Sequence, residues 1–317
     1  MSFPKNQMSP VVVWAFTDGK TGHENQTRGL LAALAQRYPL DVRWISVPAY
    51  ASVLSSLMTR RFLPGVGLPP PTILIGAGHR THLPMLAARR AHGGRSVVLM
   101  KPSLPRAWFD LCAMPEHDVA AGRAVAPGSN VLLTRGALNG MQAGEKNAKA
   151  GLMLIGGSSR HYGWREKELV VQVETIVQRE PAIQWVLTTS RRTPASTTTR
   201  LQALVFNNLT VVPVQATGPG WLAGKLAQAT WVWATEDSVS MVYEALTAGC
   251  ATGILPVPRR RRVGKIARGI ADLADDGLIT HFSDWQRGKR LAAPAKPFNE
   301  ASRVADWIVE MWLAPPT

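Results

Sequence analysis

Short β-branched runs alternate with helix-patterned stretches along almost the whole chain, and that rhythm leaves few folds open. In the first half the strand candidates are Val11–Phe16, Val42–Val47, Thr72–Gly76, Ser96–Met100, Phe109–Met114 and Val131–Thr134. Helical patterns lie between them, among them Gly22–Arg37, with Leu30, Leu31 and Leu34 on one face, and Thr81–Ala91. Such alternation predicts βαβ units and a parallel sheet. Residues Asn139–Ala150 are polar and poor in large apolar groups, which predicts a linker. The rhythm then restarts, with strands at Gly151–Ile155, Gln184–Thr189, Leu209–Pro213, Trp231–Thr235 and Ala251–Val257. Helical patterns at Arg165–Arg179, Trp221–Ala229, Ser238–Ala248 and Val263–Asp275 separate these strands. The expectation is an α/β chain of two Rossmann-like, doubly wound domains, 1–140 and 150–300, facing a cleft at the carboxyl ends of their sheets. The amphipathic stretch Ala301–Leu313, within 301–317, is expected to pack back on the first domain.

Bulk properties narrow the class of partner. The chain has 317 residues, 46% of them hydrophobic, enough for two cores. Its two cysteines, Cys112 and Cys250, sit in apolar surroundings and suit a reducing compartment without a disulfide framework. No stretch approaches the length of a spanning helix, and the first residues lack the apolar region of a signal peptide. A soluble cytoplasmic protein, or one attached only to a membrane surface, is expected. The formal net charge of +15 points to anionic lipid, phosphorylated small molecules or nucleic acid. Nucleic acid is not expected, because no helix-turn-helix, zinc-ligand spacing or stacked-aromatic sheet motif is present.

Four segments carry chemistry. In VVVWAFTDGKTGHENQ, Val11–Gln26, a buried strand runs through Gly19 and Gly22 into a helix. Glycines at such a turn let backbone N–H groups approach an anion, which the helix dipole favours. Asp18, Lys20, His23 and Gln26 would project into the cleft, and Asp18 with His23 would share acid/base work. A plain turn with a capped helix also fits, but it leaves four functional side chains in nine residues without a task. LMLIGGSSRHYGW, Leu152–Trp164, opens the second half the same way. Gly156, Gly157, Ser158 and Ser159 offer N–H and hydroxyl donors to phosphate, and Arg160 a charged fork; a flexible turn is the alternative. It is not a GxGxxG fingerprint, so a dehydrogenase is disfavoured.

In WVLTTSRRTP, Trp185–Pro194, a strand ends in Ser190, Arg191 and Arg192; one arginine faces a site, or both belong to a solvated loop. In ATEDSVSMVYEALTAG, Ala234–Gly249, a strand ends at Glu236 and Asp237, and Ser238 is expected to cap the next helix. That helix start, with Val239, Ser240 and Met241, is a second anion site, and Glu244 lies further along. GAGHR, with Gly78 and His79, repeats the strand–glycine–polar design. No spacing suggests a structural metal, and no GxSxG or Walker motif appears.

TDGKTGHENQ, IGGSSR, TTSRRTP and TEDSVSMVYEA, in this order, resemble the mitochondrial-fission ELM-type family and its bacterial members. The likeness spans about Val11 to Leu278. It implies the glycosyltransferase-B fold, with the second domain holding a nucleotide-sugar donor and no cofactor. It maps Gly156–Arg160, Ser190–Arg192 and Glu236–Glu244 to the donor site, with Glu244 holding a ribose. It maps the Asp18–Gln26 loop to the acceptor. Enzymes of this fold commonly neutralise the leaving diphosphate with helix dipoles and basic side chains instead of a metal, and this chain has no Asp-x-Asp motif.

The basic balance predicts an anionic or lipid-linked acceptor of the cell envelope, and a place on the cytoplasmic face of the inner membrane. Ala51–Gly65 carries Val53, Leu54, Leu57, Met58 and Phe62 near helical spacing beside Arg60 and Arg61. That is the pattern of a helix docking on anionic lipid, or of an ordinary core-facing helix. Arg259–Arg262 with Lys265 is a second basic run, read as a solvated face, or otherwise as a phosphate or membrane contact. A nucleotide-sugar epimerase and a non-catalytic scaffold related to the fission factor are the competing classes.

Overall fold

The computed structural model describes residues 9–118, 128–260 and 264–314. The chain divides into two compact units. One comprises Met1–Gly140 and Asn299–Thr317, the other Met141–Phe298.

The first unit is built on six strands, β1 (Val11–Thr17), β2 (Leu40–Ser46), β3 (Ile73–Ala77), β4 (Arg95–Leu99), β5 (Leu111–Pro115) and β6 (Val131–Thr134). They pair in parallel in the order β2-β1-β3-β4-β5-β6. Strands β3 and β5 are buried at every position, as strands covered on both faces must be. The covering helices are α1 (Thr21–Ala35), α2 (Tyr50–Thr59) and α3 (His82–His92). The strand order reverses between β1 and β3, so the loops leaving their carboxyl ends diverge to opposite faces and open a crevice.

The end of the chain completes this unit. Ala301, Val304, Ala305 and Ile308 join Leu30, Leu31 and Leu34 of α1 in one buried cluster. Arg37 Nε meets Asp306 Oδ1 at 2.6 Å, and Tyr38 Oη donates to the Leu313 carbonyl at 3.1 Å. Emptying one such buried site, as in Ile308→Ala, costs about 2–5 kcal/mol.

In the second unit the strands are β7 (Asn147–Leu154), β8 (Gln184–Thr188), β9 (Leu209–Val212), β10 (Ala229–Thr235), β11 (Ala251–Leu255) and β12 (Thr280–His281). Their order is β12-β11-β10-β7-β8-β9, all parallel. Here the order reverses between β7 and β10. The helices are α4 (Glu166–Arg179), α5 (Ala195–Gln202), α6 (Trp221–Gln228), α7 (Val239–Thr247), α8 (Gly264–Asp275) and α9 (Phe282–Gln286); α10 (Glu300–Ile308) belongs to the first unit.

Three sequence expectations need correction. The predicted linker is too long, because Asn147–Ala150 form the exposed first half of β7. Helix α5, ASTTTRLQ, went unpredicted because its Ser and Thr residues are weak helix formers; Pro194 starts it, and Thr197 and Leu201 bury it. Helix α9 and β12 are too short to show a period. Both cysteines are buried free thiols.

Candidate functional site

Each sheet gathers loops at its own switch point. In the first unit β1 ends at Thr17, and the turn to α1 places Asp18 and His23 together. The Asp18 carboxylate is closed to solvent and accepts His23 Nδ1 at 3.0 Å and the Lys20 N–H at 3.2 Å. Burial opposes its charge, but these donors and the nearby cations hold Asp18 below its ordinary value. Thr17 Oγ1 donates to Glu24 Oε1 at 2.5 Å and receives the Gly19 N–H at 3.0 Å, fixing the turn. The loop after β3 comes alongside: a side chain on Gly78, at φ +84°, would strike the His23 ring at 2.3 Å. Lys20, Gly22 and His79 are exposed, whereas Gln26 is buried on α1 instead of projecting outward.

His82 was not singled out from the sequence. It is 1% exposed, its Nδ1 lies 3.0 Å from Ser103 Oγ, and its Nε2 has no partner among the described residues. Burial, assisted by His79, pushes it down to about 4, so it is neutral near pH 7. Where β4 ends, Met100 takes φ 75°, a left-handed conformation that side chains rarely adopt.

The second switch point is self-bonded. Gly156 N–H donates to Thr235 Oγ1 at 2.8 Å, and Gly157 N–H to Asp237 Oδ2 at 3.0 Å. These N–H groups are therefore spent within the protein and are not free for phosphate, contrary to the sequence expectation. The two glycines are required by close approach instead. A Cβ on Gly157 would lie 2.0 Å from the Arg192 carbonyl, and one on Gly156 2.2 Å from Ser238 Oγ. Ser159 Oγ is likewise occupied, accepting the His161 and Tyr162 N–H groups, while Ser158 and Arg160 are exposed.

Asp237, its side chain closed to solvent, pairs with Arg192 at 2.9 Å. Arg192 also donates to the Gly157 carbonyl at 3.0 Å and Ser238 Oγ at 3.1 Å. Ser238 thus makes no capping bond; its hydroxyl holds Arg192, and its N–H is taken by the Thr235 carbonyl. Glu236 is a buried partner of Arg259, with Tyr162 Oη 3.4 Å away. Its carboxylate is engaged by that pair, while the Arg259 side chain stays about half exposed. Arg261 and Arg262 lie outside the described residues, as does the Lys265 side chain.

A cavity of about 460 Å³ opens beside this network. One wall is polar and cationic, with Ser190, Arg191, Arg192 and Ser240. The other is apolar, with Val214, Trp221, Leu222 and Met241. Met241, on α7, was named from the sequence; Val214, Trp221 and Leu222 escaped that reading because they stand on α6 and the turn before it, far along the chain from the strand-end loops. One turn beyond Ser240, the half-buried Glu244 carboxyl makes no hydrogen bond or ion pair among the described residues, and burial pushes it up to about 7. Among the described residues no three His, Cys, Asp or Glu side chains cluster as metal ligands do.

The sequence profile of the mitochondrial fission ELM1 family matches residues 21–312. The chain belongs to that family. An uncharacterized protein of Rickettsia prowazekii (strain Madrid E) is 22% identical over 357 residues, covering 93% of this chain and 97% of that one. Solved structures of other proteins resemble the chain in fold. A candidate UDP-N-acetylglucosamine 2-epimerase from Listeria monocytogenes superposes with a TM-score of 0.61, at 11% identity, over 97% of this chain and 98% of its own. A UDP-glucosyltransferase from Polygonum tinctorium capable of glucosylating indoxyl gives 0.51, at 10% identity, over 98% and 100%. The chain therefore has the α/β fold of the glycosyltransferase-B class, which its two parallel six-stranded sheets display.

Proposed function

We propose that this protein is a glycosyltransferase that moves a sugar from a nucleotide-sugar donor to a lipid-linked or lipopolysaccharide-type acceptor at the cytoplasmic face of the inner membrane. The observation that carries the donor half is the 460 Å³ cavity of the second unit, which sets guanidinium groups and apolar side chains around one space, with Glu244 one turn along α7 from its Ser240 and Met241. Arg191 and Arg192 suit a diphosphate, Trp221 and Met241 a base, and Glu244 a ribose diol. Transfer breaks the bond from the sugar carbon to the diphosphate and forms one to the acceptor oxygen. The arginines neutralise the leaving diphosphate. With Nδ1–H given to Asp18, His23 Nε2 keeps its lone pair and takes the acceptor's proton.

Two features support the membrane half. Between Asp41 and Asp110 the chain has no acidic residue, against nine Lys and Arg. Within that stretch the face expected to be uniformly apolar divides. Val53 and Phe62 enter the core, while Met58 is 85% exposed with Tyr50, Leu54, Leu63 and Val66 near it in sequence. Exposed apolar groups beside Arg60 and Arg61 suit anionic lipid. No helix among the described residues is long and apolar enough to cross a membrane.

Pure protein incubated with a panel of nucleotide sugars tests the reading. Nucleotide release that requires membrane extract supports transfer; an altered sugar without extract supports an epimerase; no nucleotide binding leaves a scaffold. Separately, Arg60→Glu with Met58→Glu should abolish sedimentation with phosphatidylglycerol vesicles at low salt and leave the melting temperature nearly unchanged. Unchanged sedimentation would contradict the membrane half alone.

A further inference from the structure

The second unit holds a larger cavity, about 540 Å³, at the opposite end of its sheet from the donor cavity. It opens where β8 and β10 begin, whereas the donor loops leave where those strands finish. Four indoles form its wall: Trp185 on β8, Trp231 and Trp233 on β10, and Trp285 on α9. The sheet is shaped to seat them. Gly151 lies in register between Trp185 and Trp231, and a Cβ there would meet the Trp185 ring at 2.3 Å. Gly253 makes the same room for Trp233, at 2.4 Å.

The indoles are held in place. Trp233 and Trp285 pack edge to face at 5.4 Å, and Trp231 Nε1 donates to the Ala148 carbonyl at 2.9 Å. Trp231 remains half-buried, so part of its ring faces outward. Trp185 is 2% exposed, and its Nε1–H meets no partner among the described residues. A buried orphan donor costs about 1–3 kcal/mol and asks for an explanation.

The polar lining completes the chemistry. Arg179, Lys289 and Arg290 stand against a single acid, Glu180. Arg179 is already engaged, lying 5.2 Å over the Trp285 ring and donating to the Gln286 carbonyl at 3.2 Å. Lys289 and Arg290 are exposed, and their side chains make no ion pair among the described residues. A pyranose ring matches this combination. Its C–H face packs on indole, its hydroxyls use both the cations and Glu180, and the excess of cations selects a carboxylate or phosphate on the ring.

We infer that this tryptophan-walled cavity is a second ligand site, separate from the donor site, that binds an acidic saccharide. This goes beyond the donor reading and stands whether or not a nucleotide binds. Calorimetric titration of the whole chain with D-glucuronate, glucose 6-phosphate and neutral glucose tests it. Both acids should bind and glucose should bind at least about tenfold more weakly. The exposed pair Lys289→Glu and Arg290→Glu should weaken both acids by about tenfold or more with the melting temperature unchanged. Trp231→Ala should weaken them too, while Glu244→Gln leaves them unaffected. Failure of both acids to bind, equal binding of glucose, or affinities untouched by the Lys289 and Arg290 changes would overturn the inference. Loss of acid binding in Glu244→Gln would also overturn it, since the acids would then be occupying the donor cavity.

Discussion

The two switch points share a plan and differ in what they leave available. At the first, the β1 turn presents a paired Asp18 and His23, with no partner on the other ring nitrogen among the described residues. At the second, the corresponding β7 turn is bonded to the end of β10 and the loop after it, its glycine N–H groups given to Thr235 and Asp237. The same topology therefore produces a paired carboxylate and imidazole in one unit and a hydrogen-bonded frame in the other. Around the frame, side chains from neighbouring elements line the cavity, Arg191 after β8 and Ser240 and Met241 on α7. The difference teaches that a strand–glycine–helix turn does not itself show which groups a ligand meets; that depends on where the turn's own hydrogen bonds go.

The units should also answer pH in opposite senses, and this is the largest effect expected. His82 in the first unit has a folded value of about 4 against 6.5 unfolded. Between those values the unfolded chain binds the extra proton. Stability is thus complete above pH 6.5 and is lost as pH falls towards 4, by about 3 kcal/mol in all. Glu244 in the second unit is raised to about 7, so its contribution is complete below its unfolded value and is lost as pH rises through 7. Hydrogen exchange followed between pH 4 and 8 should show protection of the first unit growing with pH, and His82→Gln should flatten that trend. An unaltered slope in His82→Gln would place the acid sensitivity elsewhere.

A smaller effect separates the turns by packing. Gly157→Ala must displace the Arg192 backbone and should cost about 1–3 kcal/mol. Gly22→Ala, with nothing within 4 Å of the new carbon, should change stability by less than about 0.5 kcal/mol. Urea denaturation of both variants checks this pair, and equal costs would refute the account of the second turn as a close-packed frame.

Most of the fold was legible in the sequence because parallel strands buried on both faces read as continuous apolar runs, as β3, β5 and β11 do. The loops that gather the site were legible too, since glycine and polar residues follow those runs. What each polar group does was not. Arg191 and Arg192 are adjacent and alike, and only the buried Asp237 carboxylate, about 45 positions away in the chain, shows that Arg192 is the one locked into the frame. Glu236 reads like a ligand-binding acid until Arg259 is found on it. His82 gave no signal, because burial is a tertiary property that a lone histidine after a glycine turn does not advertise.

Nucleotide binding by the second unit is the central claim, and Glu244 is where it is most exposed to refutation. Titration of wild type and Glu244→Gln with uridine, cytidine, guanosine and adenosine diphosphates, each with a melting curve at pH 8, measures binding and folding on the same samples. The account predicts that at least one nucleotide binds wild type. It predicts that Glu244→Gln weakens that nucleotide by about 1.5–3 kcal/mol, tenfold or more in Kd. It also predicts an equal or higher melting temperature, because a buried charge without a partner has been removed. A lowered melting temperature with intact affinity, or no nucleotide bound by wild type, would contradict it.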